Sequence, residues 1–109
     1  MIQGDICWYK FKEPNKERPV LILTRTDLIP LLNVVTVVEI STTVRDNDAE
    51  LWLDESDGMP ERCAVNFTNI QTVPKLKIGG TITRLAPVRF SEVRTAVEFV
   101  FNLQELSGS

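Results

Sequence analysis

The chain contains no histidine, so any reaction it performs runs on arginine, hydroxyl or carboxylate groups. Two stretches gather such groups. Glu17-Arg18-Pro19-Val20-Leu21-Ile22-Leu23-Thr24 opens on an arginine–proline step, and Val34-Val35-Thr36-Val37-Val38-Glu39-Ile40-Ser41-Thr42-Thr43-Val44-Arg45 closes on a run of hydroxyls. Both are rich in β-branched residues and read as strands. Guanidinium and hydroxyl groups at strand ends suit an oxyanion, of which phosphate is the usual one. Arginine is a poor base in water, with a pKa above about 12, but it stabilises a pentavalent phosphorane by charge and bidentate hydrogen bonds. The pattern alone also allows plainer roles. Arg18 then closes a loop in solvent, and Ser41-Thr42-Thr43 caps a turn through local backbone bonds. With no histidine to activate it, a serine nucleophile is not expected.

Other groups carry weaker signals. Lys10, Lys12, Lys16 and Arg18 crowd the first loop beside Trp8, Tyr9 and Phe11. Together they are a candidate platform for stacking and charge toward single-stranded nucleic acid, although the aromatics serve equally well as core. The acidic stretch 46–61 fits no calcium loop of the EF-hand pattern and reads as a solvated connection. Cys7 and Cys63 follow no metal-binding spacing and read as reduced, buried small hydrophobes. No metal site and no cofactor are expected.

The elements that must position these groups are short. A first strand covers residues 4–11, with Asp5, Cys7, Tyr9 and Phe11 on one face and Ile6, Trp8 and Lys10 on the other. Residues 12–17 form a polar loop around Pro14. Arg18 to Thr24 is the second strand. A helical turn over Thr26 to Leu32, with Thr26 as its N-cap and Pro30 limiting it, precedes a third strand over Asn33 to Ser41. That strand's continuous apolar run predicts burial on both faces. Glu50 to Leu53 and Cys63 to Phe67 are the fourth and fifth strands, joined by an acidic turn over residues 54–60. Residues 69–73 continue the fifth strand or bend it. Pro74 to Lys77 forms one turn, Gly79-Gly80 a bend, and Thr81 to Leu85 a short strand. A terminal helix starts at the N-cap candidate Ser91, with Val93, Ala96, Val97, Val100, Phe101 and Leu103 at helical spacing.

At 109 residues this is one domain, 1–109, with 107–109 as a flexible tail. The fold class is mainly β with a C-terminal α-helix, in a small, strongly bent antiparallel sheet or partly open barrel. Any edge left open favours a dimer. The net charge of −3 and pI of about 4.9 lower the expectation of non-specific nucleic-acid binding, but the basic first loop opposes the mean. No apolar run approaches the roughly 20 residues that cross a bilayer. The N-terminus, Met1-Ile2-Gln3-Gly4-Asp5, has neither the basic start nor the apolar core of a signal peptide, so a cytoplasmic location is expected.

The ordered set Gly4-Asp5-Ile6-Cys7-Trp8, Arg18-Pro19-Val20-Leu21-Ile22, Glu39-Ile40-Ser41-Thr42-Thr43-Val44-Arg45, Asp57-Gly58-Met59-Pro60, Val65 to Val73 and the closing helix resembles the MazF/PemK toxins. The resemblance spans nearly the whole chain. It implies a small barrel similar to an SH3 or CcdB fold, usually a symmetric homodimer. It implies sequence-selective cleavage of single-stranded RNA without a metal ion, in which the ribose 2′-hydroxyl attacks the adjacent phosphorus. The products are a 2′,3′-cyclic phosphate and a 5′-hydroxyl. It also implies a cognate antitoxin whose unstructured C-terminal segment covers the RNA groove.

In that family the arginine before proline matches Arg18, with roles in proton transfer and charge stabilisation. The hydroxyl after the third strand matches Ser41, with Thr42 beside it, as donor to a phosphate oxygen. Lys12, Lys16, Thr42, Arg45, Asn69 and Gln71 are the expected RNA contacts. The chain departs from the pattern at Thr68 and Gln71, where many relatives carry an acidic residue and an arginine. It departs again at Arg25-Thr26, which replaces an asparagine–aspartate pair, and in the first loop, which lacks glycine-serine-glutamate. Two alternatives stand beside the ribonuclease. One is a CcdB-like toxin that binds a protein target such as gyrase; the other is an inactive relative that only binds its antitoxin or RNA.

Overall fold

A computed structural model describes residues 1–12 and 16–103. Strands β1 (Asp5–Lys10), β2 (Glu17–Ile22), β3 (Val34–Ser41), β4 (Glu50–Leu53), β5 (Cys63–Pro74) and β6 (Ile78–Arg84) precede a single helix, α1 (Phe90–Phe101). The strands form one antiparallel sheet in the order β4-β5-β3-β2-β1-β6. This is the expected class, mainly β with a C-terminal helix, and bulges in the β1–β6 and β3–β5 ladders curl the sheet toward a small barrel. The tail 107–109 and the centre of the first loop lie outside the described residues.

Alternation along the strands divides the apolar residues between two cores. Leu21, Val38 and Ile40 face the larger one with Ile6, Leu51, Leu53, Val65, Phe67 and Leu85, and α1 closes it with Ala96, Val93, Val97 and Val100. Val20, Ile22, Val35 and Val37 face the smaller one with Cys7, Ile29 and Val73, flanked by Tyr9, Phe11 and Ile78. The continuous apolar run of β3 is thus burial on both faces, as its sequence predicts. Cys7 and Cys63 are free, buried and in different cores. Desolvation pushes the Cys63 thiol up to about 11, which keeps it an unreactive thiol.

Of the two alternatives for residues 69–73 the structure takes the first, and three other expectations change. The fifth strand continues: β5 runs to Pro74 through a wide irregularity at which β3 advances from Val38 to Ile40 while β5 runs from Ile70 back to Val65. Asn66 closes that bulge by accepting from the backbone N–H of Thr68 at 3.0 Å and its hydroxyl at 2.7 Å. Gly79 and Gly80 lie inside β6 and not before it, because Gly79 passes so close to β1 that a Cβ there would meet the Trp8 carbonyl at 3.1 Å. Thr26 caps no helix: its hydroxyl accepts from the Gln3 backbone, and only Ile29–Leu31 forms a 3-10 turn.

Finally, Ser91 is not the N-cap of α1. A 3-10 turn over Pro87–Arg89 leads directly into Phe90, and Arg89 holds that entry by binding Asp57 at 2.7 Å, the Trp52 carbonyl at 2.8 Å and the carboxylate of Glu92. At the other end Phe101 and Leu103 continue the apolar spacing but are exposed, since Asn102 turns left-handed at φ 43° and stops the helix.

Candidate active site

Arg18 and Ser41 stand at the same end of the sheet. Val20 of β2 pairs with Glu39 of β3 in antiparallel register. Arg18 lies two residues before Val20 and Ser41 two residues after Glu39, so alternation turns Arg18, Glu39 and Ser41 to one face. The β1–β2 hairpin ends there as well, with Tyr9 opposite Arg18 and Lys10 opposite Glu17. Lys12 and Lys16 are exposed just beyond that hairpin, whose neck is closed by the Phe11 N–H bond to the Lys16 carbonyl at 3.1 Å.

Polar contacts join three strands across this face. The Arg18 guanidinium donates to one oxygen of Glu39 at 3.1 Å. The other Glu39 oxygen accepts from the side-chain amide of Asn69. Asn69 in turn accepts from the Gln71 amide at 3.0 Å. The regular register of Val37 with Gln71 and Val38 with Ile70 sets Asn69 level with Glu39, just before the β5 bulge, with Gln71 one step further along. Glu39 is 17% exposed and Arg18 37%, so the carboxylate is largely enclosed while the guanidinium reaches solvent with donors to spare. The Ser41 oxygen accepts from the Thr43 backbone N–H at 3.1 Å, which leaves its own O–H free to donate.

Beside Ser41 and Thr42 a cavity of about 160 Å³ opens between Trp8, Pro19, Met59 and Pro60. Trp8 is partly exposed along its wall. Arg45 lies exposed in the loop beyond β3, its backbone N–H held by the Glu50 carboxylate at 3.0 Å. Arg18, Ser41, Asn69 and Gln71 therefore share one face, with Lys12, Lys16 and Thr42 around its end and Arg45 on the adjoining loop. The amides of Asn69 and Gln71 point inward along the chain of contacts. Glu39 is the residue that sequence reasoning missed. Its one signal is a carboxylate inside an otherwise apolar strand, a placement that needs hydrogen-bonded partners.

These features have counterparts. The family model of PemK-like, MazF-like toxins of type II toxin–antitoxin systems matches residues 2–101. The chain is 40% identical over 93 residues to the probable endoribonuclease MazF2 of Mycobacterium tuberculosis, a match covering 84% of this chain and 89% of that protein. The structure of the Mycobacterium tuberculosis toxin MazF-mt6 superposes with a TM-score of 0.83 at 34% identity, covering 90% of this chain and 96% of that one. A mycobacterial endoribonuclease in complex with its cognate antitoxin shares the fold, with a TM-score of 0.82 at 20% identity over 94% of this chain and 96% of that one.

Proposed function

The chain belongs to the PemK-like, MazF-like toxins of type II toxin–antitoxin systems, and from that premise we propose that the face bearing Arg18 and Ser41 is where it cleaves RNA. The protein is an endoribonuclease toxin. Of the three readings open to the sequence, this is the one its family carries. The observation behind the site assignment is the Arg18 guanidinium, fixed at one nitrogen by Glu39 and more than a third exposed on the face that holds Ser41.

The proposed reaction needs only groups of the RNA, groups of this face and solvent water. The 2′-oxygen forms a bond to the adjacent phosphorus as the bond from phosphorus to the 5′-oxygen breaks. The 2′-hydroxyl proton passes to water and a proton from water reaches the 5′-oxygen, giving a 2′,3′-cyclic phosphate and a 5′-hydroxyl. Negative charge builds on the non-bridging oxygens in between. Arg18 meets that charge with its free N–H groups, and the Ser41 hydroxyl adds a second donor. A proton-transferring arginine needs a strongly desolvated site. Arg18 is paired to a carboxylate and more than a third exposed, and we assign it charge stabilisation alone.

We further propose that Lys12, Lys16 and Arg45 hold the backbone of single-stranded RNA, and that Thr42 and the cavity beside Trp8 take an unstacked base. Cleavage is proposed to be sequence-selective and to occur in the cytoplasm, where its RNA lies; no helix among the described residues is long and apolar enough to cross a membrane. The partners are a cognate antitoxin and a second copy of the chain. The exposed apolar edge of Leu31, Val34 and Leu76 is of the kind a second copy covers.

The test is cleavage of several long single-stranded RNAs in EDTA by the purified protein and by Arg18→Ala. Discrete fragments with 5′-hydroxyl ends are expected from the unmodified protein alone. Equal cleavage by a well-folded Arg18→Ala protein overturns the site assignment.

A further inference from the structure

Glu39 belongs to none of the roles assigned so far, yet it is the hub of the polar contacts on this face. It is the one charged residue of β3, in a strand otherwise made of valine, isoleucine, threonine and serine. A largely enclosed carboxylate is costly unless both oxygens are bonded, and here both are, from opposite sides: Arg18 from β2 and Asn69 from β5. The contacts have a direction. Gln71 donates to the Asn69 carbonyl oxygen, which turns the Asn69 amide nitrogen toward Glu39, and the remaining Glu39 oxygen then faces Arg18.

From this geometry we propose that Glu39 is a positioning residue for catalysis. Held in place by Asn69 and Gln71, its carboxylate fixes the plane of the Arg18 guanidinium so that the free edge meets the scissile phosphate. An unpaired arginine samples many rotamers, and small misplacement of a catalytic group costs rate more than binding. Asn69 and Gln71 thereby act as internal supports and not as readers of bases. The inference rests on the assignment of Arg18 to the reaction.

The experiment measures single-turnover cleavage and, separately, affinity for the same RNA made uncleavable by a 2′-deoxy substitution at the cut site. Glu39→Gln is expected to lower the single-turnover rate about a hundredfold, while affinity for the uncleavable RNA stays the same or rises, because a negative charge near phosphate has been removed. Glu39→Asp, which keeps the charge but withdraws it, is expected to fall between. Asn69→Ala loosens the carboxylate from the far side and is expected to slow cleavage several-fold without touching Glu39. Thermal denaturation of each variant confirms folding and keeps the test open if one variant fails to fold.

A folded Glu39→Gln protein that cuts at the full rate overturns the proposal while Arg18→Ala remains inactive. Rate and affinity falling together overturn it too, since that marks general damage to the face. Full activity in Arg18→Ala removes the premise itself and is thereby distinguishable.

Discussion

Arg18 and Arg89 both meet carboxylates, and they differ in how many of their donors the protein keeps. Arg89 is saturated. Its guanidinium bonds Asp57 at 2.7 Å, the Trp52 carbonyl at 2.8 Å and the carboxylate of Glu92. The Glu92 hydrogen bond leads in pushing Arg89 above its ordinary value, against the opposing pull of burial. Among the described residues Arg18 makes a single ion pair, to Glu39, and it is more exposed than Arg89, at 37% against 23%. A guanidinium carries five N–H donors, so Arg89 has become a rivet between α1 and the β4 region, while Arg18 is anchored at one corner with its remaining donors available. The contrast separates an arginine that holds the fold from one equipped to hold a phosphate.

That contrast can be broken by experiment. The largest effect is expected at the site end: Arg18→Ala abolishes cleavage while the denaturation midpoint stays near that of the unmodified protein. Ser41→Ala follows, with cleavage reduced about a hundredfold through loss of one donor to the phosphate. Ser41→Thr keeps the hydroxyl and is expected to retain most of the rate; equal losses in both variants would mean that the hydroxyl does not act on the phosphate.

Arg89→Ala should reverse the profile. It is expected to cost about 2 kcal/mol of stability by leaving Asp57 and the Trp52 carbonyl without their donor, read from urea denaturation, while cleavage per folded molecule changes less than twofold. An Arg89→Ala protein of normal stability and poor activity would erase the distinction between the two arginines.

The smallest effect concerns a third pair. Asp5 is enclosed, and although burial works to raise its carboxyl, the Ile2 N–H and the Arg84 guanidinium outweigh burial and leave it below its ordinary value of 3.8. A depressed carboxylate contributes stability that is present in full above the ordinary value and is lost as pH falls through the lower folded one. Arg84 is 62% exposed, so the ion pair itself is weak and the Ile2 hydrogen bond does much of the work. Asp5→Asn is expected to cost about 1 kcal/mol near neutral pH, with the gap to the unmodified protein narrowing below pH 3.8. A gap that is constant with pH would show that charge at Asp5 does not matter.

What the sequence determined by itself was local. Strand propensity and alternation located six strands, the terminal helix and the strand ends that carry Arg18 and Ser41, because each depends on a few neighbouring residues. The buried, reduced state of both cysteines was legible for the same reason. The start of α1 was not: Ser91 has the right type for a cap, but Arg89 reaches Asp57 and Trp52 far back in the chain and fixes an earlier entry. Nor was the bulge of β5, which needs β3 as a partner to exist at all. The register just before that bulge decides the site. With Val38 opposite Ile70 it sets Asn69 beside Glu39, and so ties Arg18 to Gln71 through residues on three strands. Which side chains meet across a sheet depends on register and on where the ladder loses step, and these follow from the packing of distant segments on two cores, not from the composition of any one of them.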